Sequence, residues 1–139
     1  MMRISTNRAE EDTVISEPLT LTVSLRGSHE IRDNCHLVHL TGMLDAFSDP
    51  NFRKALSKIV QDPPPNLILD LTGVEFIDST GVGALVQVAK QVKEQGGIFQ
   101  IVSNPRVNQI VKLVRLQDFL CLQNSLEEAL ARLHPSPPA

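Results

Sequence analysis

Phe76-Ile77-Asp78-Ser79-Thr80-Gly81-Val82-Gly83 joins an apolar run to a segment of helical period, with a carboxylate and two hydroxyls at the junction and glycines directly after it. Upstream, Asn66-Leu67-Ile68-Leu69-Asp70-Leu71 follows Pro63-Pro64-Pro65, and its shortness and continuous apolarity predict a buried strand. Downstream, Val82, Leu85, Val86, Ala89 and Val92 recur at helical spacing while Gln87, Lys90, Gln91 and Glu94 fill the other face. That pattern predicts an amphipathic helix over residues 79–95, ending at Gly96-Gly97. Ser79 therefore sits at a helix start, just beyond a strand.

The same reading extends in both directions. Leu19-Thr20-Leu21-Thr22-Val23-Ser24-Leu25 alternates apolar and hydroxyl residues and predicts an edge strand, followed by a polar connection from Arg26 to Asn34. Cys35-His36-Leu37-Val38-His39-Leu40-Thr41 predicts a second strand, ended by Gly42. Ser48-Asp49-Pro50 places a capping side chain before a first-turn proline, and Phe52, Leu56, Ile59 and Val60 form a stripe that stops at Asp62-Pro63. Gly97 to Val102 predicts another strand; Asn104-Pro105 opens a helix that turns Val107, Ile110, Val111 and Val114 inward. Phe119-Leu120-Cys121-Leu122 predicts a last short strand, and Ser125-Leu126-Glu127-Glu128 is a capping box that opens a terminal helix. Strands separated by helical segments pair in parallel, which makes this an α/β fold with a mixed, mostly parallel sheet of about five strands and about four helices. Residues 1–17, with the acidic Glu10-Glu11-Asp12, predict a flexible tail; residues 18–134 form the domain and 135–139 a Pro-rich tail.

Composition narrows the function. A chain of 139 residues, 42% hydrophobic and 21% charged, fits one globular domain. Its formal net charge of -3, with no Trp or Tyr and five Phe, supplies neither a basic stripe nor a base-stacking platform, so no nucleic-acid partner is expected. No run approaches the roughly 18 apolar residues of a membrane span, and no signal-peptide core follows Met1, so a cytoplasmic protein without a membrane partner is expected. Cys35 and Cys121 lie far apart in apolar stretches and read as reduced core thiols. His36 and His39 fall on opposite faces of one strand, cannot grip one ion, and read as structural, so no metal site is expected.

No cofactor is expected either. Gly81-Val82-Gly83 lacks the third glycine of a dinucleotide fingerprint and the lysine of a phosphate loop. Ser79 is preceded by Ile77 and Asp78 where a nucleophile elbow needs its first glycine, and no histidine lies nearby in sequence as its base, so the chain does not read as an enzyme. In the aspartic protease signature one residue, not two, separates Asp from Gly.

Asp78, Ser79 and Thr80 are all preferred cap residues for the unpartnered first amides of a helix. Gly81 and Gly83 cost roughly 0.5–1 kcal/mol each in a helix relative to alanine, which points to close approach of another backbone, from the sheet or from a partner protein. A phosphate on Ser79 adds about -1.5 to -2 charges. Asp78 is adjacent, Asp45 shares the rim if the two strands are parallel neighbours, and no arginine lies in the local sequence. The expected effect is repulsion of a partner.

The chain resembles the bacterial anti-sigma factor antagonists, single STAS domains, over residues 18–133. The most specific stretch is Leu69-Asp70-Leu71-Thr72-Gly73-Val74-Glu75-Phe76-Ile77-Asp78-Ser79-Thr80-Gly81-Val82-Gly83-Ala84-Leu85, supported by Gly42-Met43-Leu44-Asp45, Gly96-Gly97 and Asn104-Pro105. The resemblance implies a STAS-type fold with Ser79 as the phosphoacceptor and Thr80 as rival. It implies a partner-facing surface of Asp45, Asp78, Ser79, Thr80, Gly81, Val82 and Gly83. The unmodified protein would bind an anti-sigma factor serine kinase, freeing a sigma factor; phosphorylation would inactivate it and a serine phosphatase would reset it. Such a protein is a substrate rather than an enzyme, and a monomer or weak dimer. The alternative is a scaffold or accessory STAS module of a signalling or lipid-transport complex, in which the Asp-Ser-Thr-Gly turn is structural. Ala46-Phe47-Ser48-Asp49-Pro50 departs from the family's usual helix start after Leu-Asp.

Overall fold

Residues 15–133 are described by the computed structural model. The order is β1 (Glu17–Thr20), β2 (Leu25–Arg32), β3 (Cys35–Leu44), α1 (Asp49–Gln61), β4 (Asn66–Ile77), α2 (Ser79–Glu94), β5 (Phe99–Val102), α3 (Pro105–Leu113), β6 (Leu122–Gln123) and α4 (Leu126–Ala131). The strands lie side by side in chain order; β1, β2 and β3 pair antiparallel, and β3 to β6 pair parallel. This is the mixed α/β sheet expected, with six strands. Of the residues 1–17 read as a tail, 1–14 lie outside the described residues and Glu17 already belongs to β1, paired with His29; residues 135–139, read as a second tail, also lie outside them.

Alternation along the strands sorts side chains onto two faces. Val38, Leu40, Leu67, Leu69 and Leu71 join Phe52 and Leu56 of α1, Leu85 and Val92 of α2, and Val107 and Val111 of α3 in the main core. Leu37, Ile68 and Val102 point the other way, under Ala129 of α4. Burying each large apolar side chain contributes about 1.5–3 kcal/mol, so the face carrying three helices dominates stability.

Several boundaries differ from the sequence expectation, each for a local reason. Residues 19–25 are not one strand: Thr22 Oγ1 accepts from the amides of Ser24 (3.2 Å) and Leu25 (2.9 Å), and that side chain bends the chain into a hairpin turn. Arg26 to Asn34 is not a connection; most of it is β2, closed onto β3 by Asp33-Asn34 with Asp33 at φ 57°. Gly42 does not end its strand. It adopts φ 114° inside β3, at an irregularity in the pairing, where a Cβ would stand 2.0 Å from the Ser24 carbonyl oxygen.

Ser48 makes no side-chain cap to α1 and instead braces the preceding loop. The last strand is confined to Leu122–Gln123, because Cys121 takes φ 53° in a turn. Val114 is 48% exposed because α3 stops at Leu113 and the helical period lapses there. Both cysteines are free, but only Cys35 is a core thiol, pushed up to about 12 mainly by burial; Cys121 is half-buried.

His36 and His39 do face opposite sides. His36 is within 2.8 Å of the Asp62 carbonyl oxygen and 3.0 Å of His29, whereas His39 Nδ1 lies 2.8 Å from Asp70 on the other face. Burial first, and then the neighbouring His36, hold His29 below its ordinary 6.5, against a weaker opposite pull from Glu17 and Glu30. The unfolded chain then takes up this proton first as pH falls, so His29 contributes stability above 6.5 that is lost on the acid side. His29→Gln is expected to flatten the fall in urea stability between about pH 7 and 5; an unchanged pH slope contradicts this.

Candidate functional site

The parallel neighbours β3 and β4 end together, with Leu44 paired to Ile77, so Asp45 and Asp78 emerge side by side on one rim. Each carboxylate has a structural task. Asp45 Oδ1 accepts from the Ser48 amide (3.1 Å), while the buried Ser48 hydroxyl accepts from the Asp45 amide (3.0 Å) and donates to the Met43 carbonyl oxygen (3.0 Å). This closes the loop between β3 and α1 into a compact turn.

Asp78 is the N-cap of α2. Its Oδ1 accepts from the Gly81 amide (2.9 Å) and its Oδ2 from the Ala46 amide (3.2 Å), so one side chain ties the helix start to the neighbouring loop. The three possible caps thus resolve to Asp78. Ser79 is the first helical residue and is exposed; among the described residues its hydroxyl makes no hydrogen bond. Thr80 is half-buried.

The glycines have different surroundings. A Cβ on Gly81 would stand 2.3 Å from the Leu44 carbonyl oxygen, so the approach that excludes a side chain comes from the sheet. At Gly83 a Cβ would meet only Arg53 Nη2, at the ordinary distance of 3.7 Å, so packing within the chain does not require this glycine. Val82 points into the core at 6% exposure, so it supports the turn from beneath. Asp45, Asp78, Ser79, Thr80 and Gly83 share the outward side of the corner; Gly81 and Val82 fix it to the sheet.

Two features went unread in the sequence. Phe47 is 69% exposed, Phe76 48% and Met43 40%. Met43 and Phe76 are paired across β3 and β4, one residue before the strand ends, and Phe47 follows on the loop after Asp45, so exposed apolar side chains flank the strand ends that carry the corner. The available signal was Phe76 directly before inward-facing Ile77, which puts the aromatic ring on the opposite face of the strand. The second feature is Arg53, which α1 brings against α2 from far away in sequence.

Behind the rim, an open polar groove of about 680 Å³ is lined by Thr41, Thr72, Glu75, Asn104 and Arg106 among others. Asn104 both caps α3 at the Val107 amide (2.9 Å) and donates to the Val74 carbonyl oxygen (2.8 Å), which consumes its polar atoms in holding β4 to α3. Among the described residues no group of His, Cys, Asp or Glu is placed to hold a metal ion, and no helix is long and apolar enough to cross a membrane.

The sequence matches the STAS domain family over residues 28–129. It is 31% identical over 90 residues to the anti-sigma-B factor antagonist of Bacillus subtilis, covering 65% of this chain and 77% of that one. It is 35% identical over 65 residues to a candidate anti-sigma factor antagonist of Thermotoga neapolitana, covering 46% of this chain; the match spans 58% of that relative's length. The crystal structure of an anti-sigma factor antagonist from Mycobacterium paratuberculosis superposes with a TM-score of 0.74 at 26% identity, over 81% of this chain and 96% of that one.

The corner predicts opposite responses to one substitution. Gly81→Ala should destabilise the fold by about 2 kcal/mol or more, through collision with the β3 backbone. Gly83→Ala should stabilise it by roughly 0.5–1 kcal/mol through helix propensity. Urea denaturation of the two variants checks this, and equal effects contradict it.

Proposed function

This chain belongs to the STAS domain family, and on that premise we propose that it is an anti-sigma factor antagonist switched by phosphorylation of Ser79. The observation that carries the reading is that Asp78 caps α2, which leaves the Ser79 hydroxyl exposed and without a structural task. Relatives named for antagonism of anti-sigma factors support the role.

In the unmodified state, Phe47, Phe76 and Met43 supply apolar area that a partner can bury, and Asp45 and Asp78 flank it with negative charge. The occupant is an anti-sigma factor that is also a serine kinase, and its capture frees a sigma factor in the cytoplasm. Exposed aromatics beside a rigid corner are the usual anchors of such a contact. The kinase then transfers the γ-phosphoryl group of ATP to Ser79 Oγ: the Oγ–P bond forms, the bond to ADP breaks, and the hydroxyl proton passes to a base on the kinase. The chain is the substrate of that step, and a serine phosphatase reverses it by hydrolysis.

Phosphate brings about -1.5 to -2 charges to a surface that already holds two carboxylates. Retaining the partner would bury that charge at a cost of several kcal/mol, and each 1.4 kcal/mol is tenfold in affinity. Partner release follows from the size of that difference.

Incubation with the cognate kinase and ATP should place one phosphate on Ser79, read by fragment mass spectrometry, and none on Ser79→Ala. Phosphate on Thr80 or elsewhere refutes the site. Phe47→Ala and Phe76→Ala should each weaken kinase binding by about tenfold or more with unchanged melting temperature. Unaltered affinity in both would remove the apolar rim from the interface.

A further inference from the structure

The local sequence offers no cation to a phosphate on Ser79, but the fold brings one. Arg53 of α1 makes an i,i+4 ion pair with Asp49, Nε to Oδ1 at 2.7 Å, and its side chain remains 40% exposed. That pairing occupies Nε. The outer end of the guanidinium extends toward α2, where Nη2 lies 3.7 Å from the place a Cβ on Gly83 would take.

Gly83 is four residues beyond Ser79, so the two positions share a face of α2, about 5–6 Å apart at Cβ. Cβ atoms on a helix lean toward its N-terminus, which directs the space over Gly83 toward Ser79. A phosphoserine carries its outer oxygens three bonds beyond Cβ, and an arginine, with three methylenes and a planar guanidinium, has the longest reach among the cationic side chains. The remaining gap lies within the combined swing of both.

We propose that Arg53 is the positioning cation for phosphate on Ser79, gripping its oxygens through the outer guanidinium nitrogens across the surface left open by Gly83. This rests on the Ser79 modification proposed above and adds to it what the modified side chain does next. A dianion beside Asp45 and Asp78 would otherwise swing away from both. Held by Arg53, it lies along the seam between α1 and α2 and covers the exposed backbone at Gly83, so the modification blocks the docking face by occupancy as well as by charge. Asp49 yields part of its hold on the guanidinium, because a phosphate dianion is the stronger bidentate acceptor. A large side chain at position 83 would stand in that path.

The test uses the full chain with phosphoserine incorporated at position 79 during translation, so that no kinase is needed. Phosphorus NMR should give a second phosphate ionisation about 1 unit lower in the parent than in Arg53→Gln, with Arg53→Lys in between, because a point charge keeps part of the attraction without the bidentate grip. In the parent, the Arg53 Nε–H resonance should move as the phosphate titrates, a readout that needs no substitution. Equal midpoints in the parent and Arg53→Gln, or an Arg53 resonance indifferent to the titration, overturns the proposal. If the kinase fails to modify Ser79, the regulatory reading falls while this contact is still decided by the phosphorus titration.

Discussion

One carboxylate holds the functional corner together. Asp78 accepts from Gly81 at the start of α2 and from Ala46 on the loop after β3. Gly81, with no side chain, lets the helix settle against the Leu44 carbonyl oxygen. Two strand ends, a helix start and a loop thereby become a single rigid piece. Such preorganisation matters for recognition, because ordering a loop on binding would subtract from affinity. Ser79 stands on this piece without helping to build it, so it is free to change its chemistry without loosening the corner.

Where the charge is placed decides its energetic effect. A new anion at an exposed helix start perturbs the isolated fold little, since surface charge interactions are worth about 0–1 kcal/mol and the helix dipole favours negative charge there. The same anion at a closed interface must lose its water, at a cost of several kcal/mol. A modification can therefore be nearly silent in the free protein and decisive in the complex. Phe47 and Phe76 fit this division, since both leave about half or more of their surface uncovered in the free fold.

Much of this was legible in the sequence because the signals were local. Asn104 caps α3 and Ser125 caps α4, as their spacing indicated. The long apolar run from Asn66 and the helical period from Val82 placed the central strand, the corner and the helix. β2 was harder to read because it is polar: Glu30 on β2, His39 on β3 and Asp70 on β4 cluster on a sheet face that the short α4 covers only in part. A strand of that kind lacks the apolar alternation on which sequence reading depends. Thr22 and Gly42 misled in opposite directions. Thr22 fits the pattern of one more strand residue yet bends the chain, whereas Gly42 fits the pattern of a stop yet sits within a strand where another backbone crosses close by. The choice of Asp78 over its neighbours as the cap, and the meeting of Arg53 with Gly83, depend on three-dimensional proximity that no local window contains.

The central claim is that phosphate on one exposed serine separates this protein from its partner. Isothermal titration of the cognate anti-sigma kinase with unmodified and fully phosphorylated protein, at one ionic strength, tests it most directly. The account predicts that phosphorylation weakens the complex by about 100-fold or more, the equivalent of about 2.7 kcal/mol. Equal dissociation constants for the two forms would contradict it.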